Sequence, residues 1–253
     1  MKIDGSVIVI TGACGGLGSA MAQRMASQGA RLALLDFNSE ALNAMVADGR
    51  LARSDSLAVP ADVTNEQQVD AAFERIAAHF GRIDVLVNNA GITRDAMLLK
   101  VRDGQLSARM SLADWEAVIG VNLTGVFLCG RAAAEHMSLG GAGGLIINVS
   151  SISRAGNIGQ SNYTAAKAGV AALSVTWAKE LARYGIRVNT ISPGFIGTEM
   201  VRAIKPEALA KLRDMIPAGR IGEPEEIAHT VQYLVENDFV NGRNFEVDGG
   251  MRL

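Results

Sequence analysis

The chain is expected to fold as a doubly wound α/β domain of about seven parallel strands with helices on both faces. Three observations predict this. Short apolar runs rich in β-branched residues recur along all 253 residues, helical stretches separate them, and no linker or 20 to 50-residue repeat breaks the alternation. The runs are continuously apolar rather than alternating, as strands covered on both faces require.

The strands are expected at 7–10, 31–36, 56–59, 85–88, 145–149, 187–191 and 245–247, and the crossover helices at 19–28, 66–80, 112–137, 163–183 and 225–235. A glycine patch at 140–144 reads as a surface turn before the fifth strand. The length would permit two domains, but one continuous pattern predicts a single domain over 1–253.

Composition narrows the function. With 49% apolar and 20% charged residues, 24 basic against 26 acidic and no basic run, the chain lacks the electrostatic footprint of a nucleic-acid binder. Cys14, Cys129, His79, His136 and His229 form no ligand cluster, so neither a metal site nor a disulfide is expected. The first apolar run spans only 7–10, too short for a signal-peptide core or membrane span, and a soluble cytoplasmic protein is expected.

The first strand runs directly into Thr11-Gly12-Ala13-Cys14-Gly15-Gly16-Leu17-Gly18 and then a helix. Glycines let a pyrophosphate approach the backbone, and the helix start offers free N–H groups and a positive dipole end. Packing alone would also use glycines, but the strand before and helix after favour a nucleotide. Asp36 ends the second strand about twenty residues further on, where an acid can accept from the adenosine ribose hydroxyls and repel a 2′-phosphate. With Gly15 where a phosphate-binding arginine could stand, this favours NAD(H), NADP(H) being the alternative. Asp36 could instead cap a helix.

Tyr163 and Lys167 are four apart in a helical stretch and share a face. An ammonium beside a phenol favours the phenolate, so the pair is expected to lower the tyrosine pKa and make it a proton shuttle. The stretch follows a strand ending Asn148-Val149-Ser150-Ser151, where a parallel sheet opens its ligand crevice. A serine there can hydrogen-bond a carbonyl oxygen. Asn122, a poor helix former among apolar neighbours, needs a partner or a purpose.

Together these residues resemble the short-chain dehydrogenase/reductase family, a match running from Val7 to Gly250. It rests on Thr11-Gly12 with Gly16 and Gly18, Asp62-Val63, Asn88-Asn89-Ala90-Gly91, Asn122, Ser150-Ser151, Tyr163 with Lys167, and Pro193-Gly194 with Thr198. The resemblance implies a Rossmann-like enzyme moving hydride between nicotinamide and a substrate carbon, with Tyr163 as acid/base and Lys167 tuning it and holding the nicotinamide ribose. Asn122 would keep a proton-relaying water. It also implies cofactor contacts from Gly12, Cys14, Gly15, Gly16, Leu17, Gly18, Asp36, Phe37, Asp62, Val63, Asn89, Ala90, Gly91, Pro193, Gly194, Ile196 and Thr198. The family usually places the second serine thirteen residues before the tyrosine; Ser150 has that spacing here and Ser151 is twelve away. A loop shortened by one residue accounts for this, so Ser151 is the expected catalytic serine and Ser150 the alternative.

Within the family, Gly91-Ile92-Thr93-Arg94-Asp95, Gly159-Gln160-Ser161-Asn162-Tyr163 and Pro217-Ala218-Gly219-Arg220 are similar to 3-oxoacyl-acyl-carrier-protein reductases. Those usually prefer NADPH and dock an acidic carrier through arginines, where this chain has Glu135-His136-Met137 and Tyr184 with only Arg183 adjacent. Weak or absent carrier docking is therefore expected. An insertion at 97–111 is similar to one in NAD-linked 3-hydroxyacyl-CoA dehydrogenases, and Asp103-Gly104 reads as a hairpin turn within it. The expected substrate is a 3-oxoacyl or 3-hydroxyacyl thioester, the alternatives being a steroid or polyol, or a silent nucleotide-binding scaffold. Residues 199–216, with Met200, Ile204, Leu209, Leu212 and Met215, are expected to form a substrate lid. Surplus apolar surface on the helices at 112–137 and 163–183, including Val170, Leu173 and Trp177, suggests a homotetramer or homodimer.

Overall fold

The structure, a computed structural model, describes residues 1–252 apart from 48, 50, 52, 53 and 203–205. In chain order the elements are β1 (Val7–Thr11), α1 (Gly16–Ser27), β2 (Arg31–Asp36), α2 (Ser39–Ala47), β3 (Ser56–Pro60), α3 (Glu66–Phe80), β4 (Val85–Asn88), β5 (Leu99–Arg102), β6 (Gln105–Arg109), α4 (Leu112–Ile119), α5 (Gly125–Gly140), β7 (Gly144–Val149), α6 (Ser161–Glu180), β8 (Ile186–Pro193), α7 (Glu199–Arg202), α8 (Pro206–Met215), α9 (Pro224–Glu236) and β9 (Asn244–Val247).

Seven strands form one parallel sheet in the order β3-β2-β1-β4-β7-β8-β9. The order reverses between β1 and β4, where a doubly wound sheet opens its crevice. One apolar layer packs α1 and α9 on the sheet through Met21, Met25, Ile227 and Val231, and the other packs α3 and α5 through Phe73, Ile76, Cys129 and Ala133. The continuous apolar runs of β1, β2, β4 and β7 follow from this cover on both faces.

The structure departs from the sequence reading at three places. The expected helix 112–137 is interrupted by a π turn at Gly120–Thr124, which carries the buried Asn122. Such a turn inserts a residue without disturbing the apolar pattern enough to be read from it. Helix α2 is additional, and Asn38 rather than Asp36 caps its first turn, accepting from Ala41 N at 3.0 Å. Val170 is buried within the chain, and Trp177 fills the space beside Gly130, where a Cβ would lie 2.6 Å from the indole, so neither is spare surface. Of the expected lid, Ile204 lies outside the described residues and Ile216 is buried.

The insertion contains an antiparallel hairpin, β5 and β6, exposed at every residue, with Asp103 (φ 49°) and Gly104 (φ 75°) in its turn. Two successive left-handed residues match the twist of a two-residue hairpin. Leu112–Gly140 is long and apolar enough to cross a bilayer by composition, but half of its most apolar window is buried inside the protein.

Candidate active site

Strand β1 delivers the chain into the glycine loop at Gly12, whose φ is +62°. A side chain there would bring Cβ to 2.8 Å from the Ala90 Cα, so the loop and the segment after β4 touch backbone to backbone. Thr11 fixes this contact by accepting at Oγ1 from the Asn89 and Ala90 N–H groups, both at 3.0 Å. Asn89 returns its side-chain amide to the Thr11 and Gly12 carbonyls at 3.1 and 3.0 Å. Helix α1 then begins without a side-chain cap and without an acid in its first turn. Its positive end faces the cleft.

At the end of β2, Asp36 is buried, and its two oxygens accept from Cys14 N and Asn38 N, each at 3.1 Å. Burial, with Asp36 close by, pushes the Cys14 thiol up to about 11. Phe37 projects outward, 81% exposed. Asp62 holds its own turn by accepting from the N–H and hydroxyl of Thr64, and Val63 packs against Gly125.

The opposite wall is built on β7 and α6. Ser150 is buried and donates to the Lys167 carbonyl at 2.7 Å, so its hydroxyl is engaged beneath the cleft surface. Ser151 is half-buried, accepts from Ser153 N at 3.1 Å, and lies beside the Tyr163 phenol on the cleft wall. The Lys167 ammonium donates to the Val149 carbonyl at 2.7 Å and lies 5.6 Å from the centre of the Tyr163 ring.

The expected lowering of the tyrosine pKa is not found. Burial raises the Tyr163 pKa, the Ser151 hydrogen bond opposes that rise, and Asp95 adds to it. Lys167 is itself fully enclosed, and burial lowers its pKa to about 8, which weakens the positive charge it could lend. Helical spacing put the two groups on one face correctly, but carries no information about desolvation.

Asn122 sits behind the wall, fully buried, accepting from Ile92 N at 2.8 Å and donating to Ile92 O at 2.9 Å. The buried polar residue flagged in the sequence therefore spends its amide on backbone. A further buried chain runs beneath: Asn88 donates to Asn148, which donates to Ser174 on α6, each at 2.9 Å.

These walls enclose a cleft of 770 Å³. It is lined by Ser150, Ser151, Tyr163, Lys167 and every residue expected at the cofactor except Gly18. Gly18 packs α1 onto the loop: a Cβ there would lie 2.3 Å from the Gly12 carbonyl oxygen. Asn122 also lies outside the lining. The sequence reading assigned no role to Asn38, Ala61 and Val121 of the lining, whereas Ile92, Thr93 and Val149 stood in motifs it quoted and Glu199 and Val201 in the expected lid. Thr198 covers Gly16, with its Cγ2 3.2 Å from where a Cβ would be, and Gly194 admits the backbone of Asp248.

A glycine-lined cleft at the sheet's reversal point, open to an uncapped helix start, suits a dinucleotide, and the donor set on its other wall suits proton transfer to a carbonyl oxygen. This defines a nicotinamide-dependent oxidoreductase. The comparisons with known proteins agree. A family model described as enoyl-(acyl carrier protein) reductase matches residues 12–252. A 3-oxoacyl-[acyl-carrier-protein] reductase of Synechocystis is 42% identical, with 98% of each chain covered. A (3R)-3-hydroxyacyl-CoA dehydrogenase of Homo sapiens is 38% identical over 99% of this chain and 97% of its own. Among solved structures, a putative gluconate dehydrogenase of Agrobacterium tumefaciens superposes with a TM-score of 0.90 at 36% identity, covering 99% of this chain and 98% of the other. The chain belongs to the short-chain dehydrogenase/reductase family.

Proposed function

We propose that the protein interconverts a 3-oxoacyl and a 3-hydroxyacyl thioester with NAD(H), Tyr163 serving as the proton donor and acceptor. The observation that carries this reading is the grouping of Tyr163, Ser151 and Lys167 on one wall of the cleft, with the enclosed lysine ammonium 5.6 Å from the centre of the Tyr163 ring. Bound NAD(H) supplies or accepts the hydride. The chain's own residues handle the proton. The Tyr163 phenol, its pKa raised further by burial, is protonated at neutral pH, the state from which it donates to a developing alkoxide. Ser151 offers the same oxygen a second hydrogen bond, because Ser150 is committed to Lys167 O. Lys167, with a pKa of about 8, exchanges protons near neutral pH and can replenish the phenol. Asn122 serves this wall by holding Ile92.

Asp36 and Gly15 favour NAD(H). The buried carboxylate faces the cleft at the end of β2, and no guanidinium stands at position 15 to meet a 2′-phosphate. The relatives' printed activities and the exposed hairpin support a thioester. Helices α7 and α8, the described parts of the expected lid, would cover the acyl group. A soluble cytoplasmic homo-oligomer completes the reading. The gluconate-dehydrogenase neighbour favours a polyol as the second reading.

The test is steady-state reduction of acetoacetyl-CoA by NADH, beside oxidation of gluconate with NAD⁺. Wild-type thioester turnover that Tyr163→Phe abolishes, with NADH binding preserved, is expected. Turnover in Tyr163→Phe refutes the acid/base role, and turnover of gluconate alone moves the substrate to the second reading.

A further inference from the structure

The stretch 91–96 after β4 and the stretch 159–162 before Tyr163 grip each other beside the cleft. Ala96 N donates to Gly159 O at 2.8 Å, forming a bridge between Ala96 and Gln160. The Gln160 side chain donates to Asp95 Oδ2 at 3.0 Å. At the centre is Asn162, with no exposed surface. Its amide donates to Arg94 O at 3.0 Å and Asp114 O at 3.2 Å, and its oxygen accepts from Tyr163 N at 2.8 Å.

An asparagine in the first turn of a helix normally faces water or caps its own backbone. Asn162 is turned inward and ties three chain segments together. Arg94 and Asp114 flank the excursion that carries the exposed hairpin, so one side chain closes the base of that excursion onto α6. The same wall is held from the other side by Asn122 through Ile92. Ile92 and Thr93, on the pinned wall, and Tyr163, on the pinning helix, line the same cleft. The distance between that wall and the phenol is therefore set by these hydrogen bonds. A misplacement on the order of 1 Å at such a site can cost on the order of a hundredfold in rate.

We propose that Asn162 is a positioning residue for the reaction: by holding Arg94, Asp114 and the Tyr163 N–H together, it fixes the phenol against the 91–96 wall where the substrate carbonyl must sit. Gln160, gripping Asp95, is the outer part of the same clamp. The proposal rests on the reading of Tyr163 as the proton donor.

The experiment compares Asn162→Ala, Asn162→Ser and Gln160→Ala with wild type and Tyr163→Phe. Each is titrated with NADH by fluorescence to count binding sites, and acetoacetyl-CoA reduction is expressed per NADH-binding site. A merely structural asparagine would lower the number of sites and leave kcat per site unchanged. The clamp predicts NADH dissociation constants within about threefold of wild type and, for Asn162→Ala, a fall in kcat per site of about tenfold or more, the scale of losing a buried hydrogen-bond set. Asn162→Ser, which keeps a hydroxyl for the Tyr163 N–H, should recover part of that loss. The half-buried Gln160 tolerates truncation, so Gln160→Ala supplies a smaller fall even if the core variants do not fold. A kcat per site within twofold of wild type in every variant that binds NADH overturns the proposal. If Tyr163→Phe still turns over, the reading of the site itself fails; if it is inactive while the clamp variants match wild type, only the clamp fails.

Discussion

Gly18→Ala sets two effects of opposite sign against each other. Gly18 lies inside α1 with no positive φ, so alanine meets no backbone strain and gains about 1 kcal/mol of helix propensity. Its Cβ, however, would lie 2.3 Å from Gly12 O, 2.8 Å from Ala13 Cα and 2.9 Å from Ala13 O. All three are main-chain atoms of the glycine loop, and no flexible side chain can give way. Reaching ordinary contact at about 3.5 Å requires the helix start and the loop to part by roughly 1 Å. Overpacking of this kind costs about 1–3 kcal/mol, and with three backbone contacts the upper end applies, leaving a net loss of about 2 kcal/mol. For a chain of this size that is a Tm lower by roughly 4–8 °C. The parting also moves the N–H groups that face the dinucleotide phosphates. Loss of a helix-terminus anion contact of about 1.4 kcal/mol weakens NADH about tenfold. Gly140→Ala is the internal control: it too is helical, nothing lies within 4 Å of its Cβ, and it should raise Tm. Thermal melts and NADH fluorescence titrations of both variants make the comparison. A Gly18→Ala protein that melts at or above wild type and binds NADH as tightly would refute the claim that Gly18 exists for close packing.

Two further outcomes follow from the site. Asp36→Ala combined with Gly15→Arg should raise the NADPH-to-NADH ratio of kcat/KM by about ten- to a hundredfold, the worth of adding one charge-assisted hydrogen bond and removing one repulsion; position 15 has room, its Cβ meeting only Gly12 O at 3.5 Å, and an unchanged ratio defeats the cofactor argument. Lys167, lowered to about 8 by burial, regains its ordinary value near 10.5 on unfolding, so between those pH values the unfolded chain binds more protons and this group's contribution to stability rises with pH. The urea-unfolding free energy of wild type minus that of Lys167→Met should therefore climb through that window by up to about 1.4 kcal/mol per pH unit; the buried thiols of Cys14 and Cys129 titrate in both proteins and cancel, and a flat difference means the lysine is not enclosed.

The sheet was legible because strands covered on both faces leave a signal independent of detail: β1, β2, β4 and β7 are apolar at nearly every position. The hairpin was legible in Asp103-Gly104, because few residues tolerate two left-handed conformations in succession. What escaped was set by direction and depth. Ser150 and Ser151 are equivalent in composition, and only the strand's final twist decides that one hydroxyl goes to Lys167 O and the other lies beside Tyr163. Asn162 was visible only as one letter of a motif, since nothing in its spacing tells an inward amide from a solvated one.

Lys167 gives the same lesson in energetic form. Four-residue spacing promises that an ammonium will meet a phenol, and in water that meeting would favour the phenolate. Buried at the cleft wall, the lysine loses its own solvation and turns to Val149 O, so it answers to burial before it answers to Tyr163. The phenol in turn, its pKa raised by burial, remains protonated beside Ser151. A protonated donor above a lysine poised near neutrality suits delivery of a proton to a carbonyl oxygen better than a standing phenolate would.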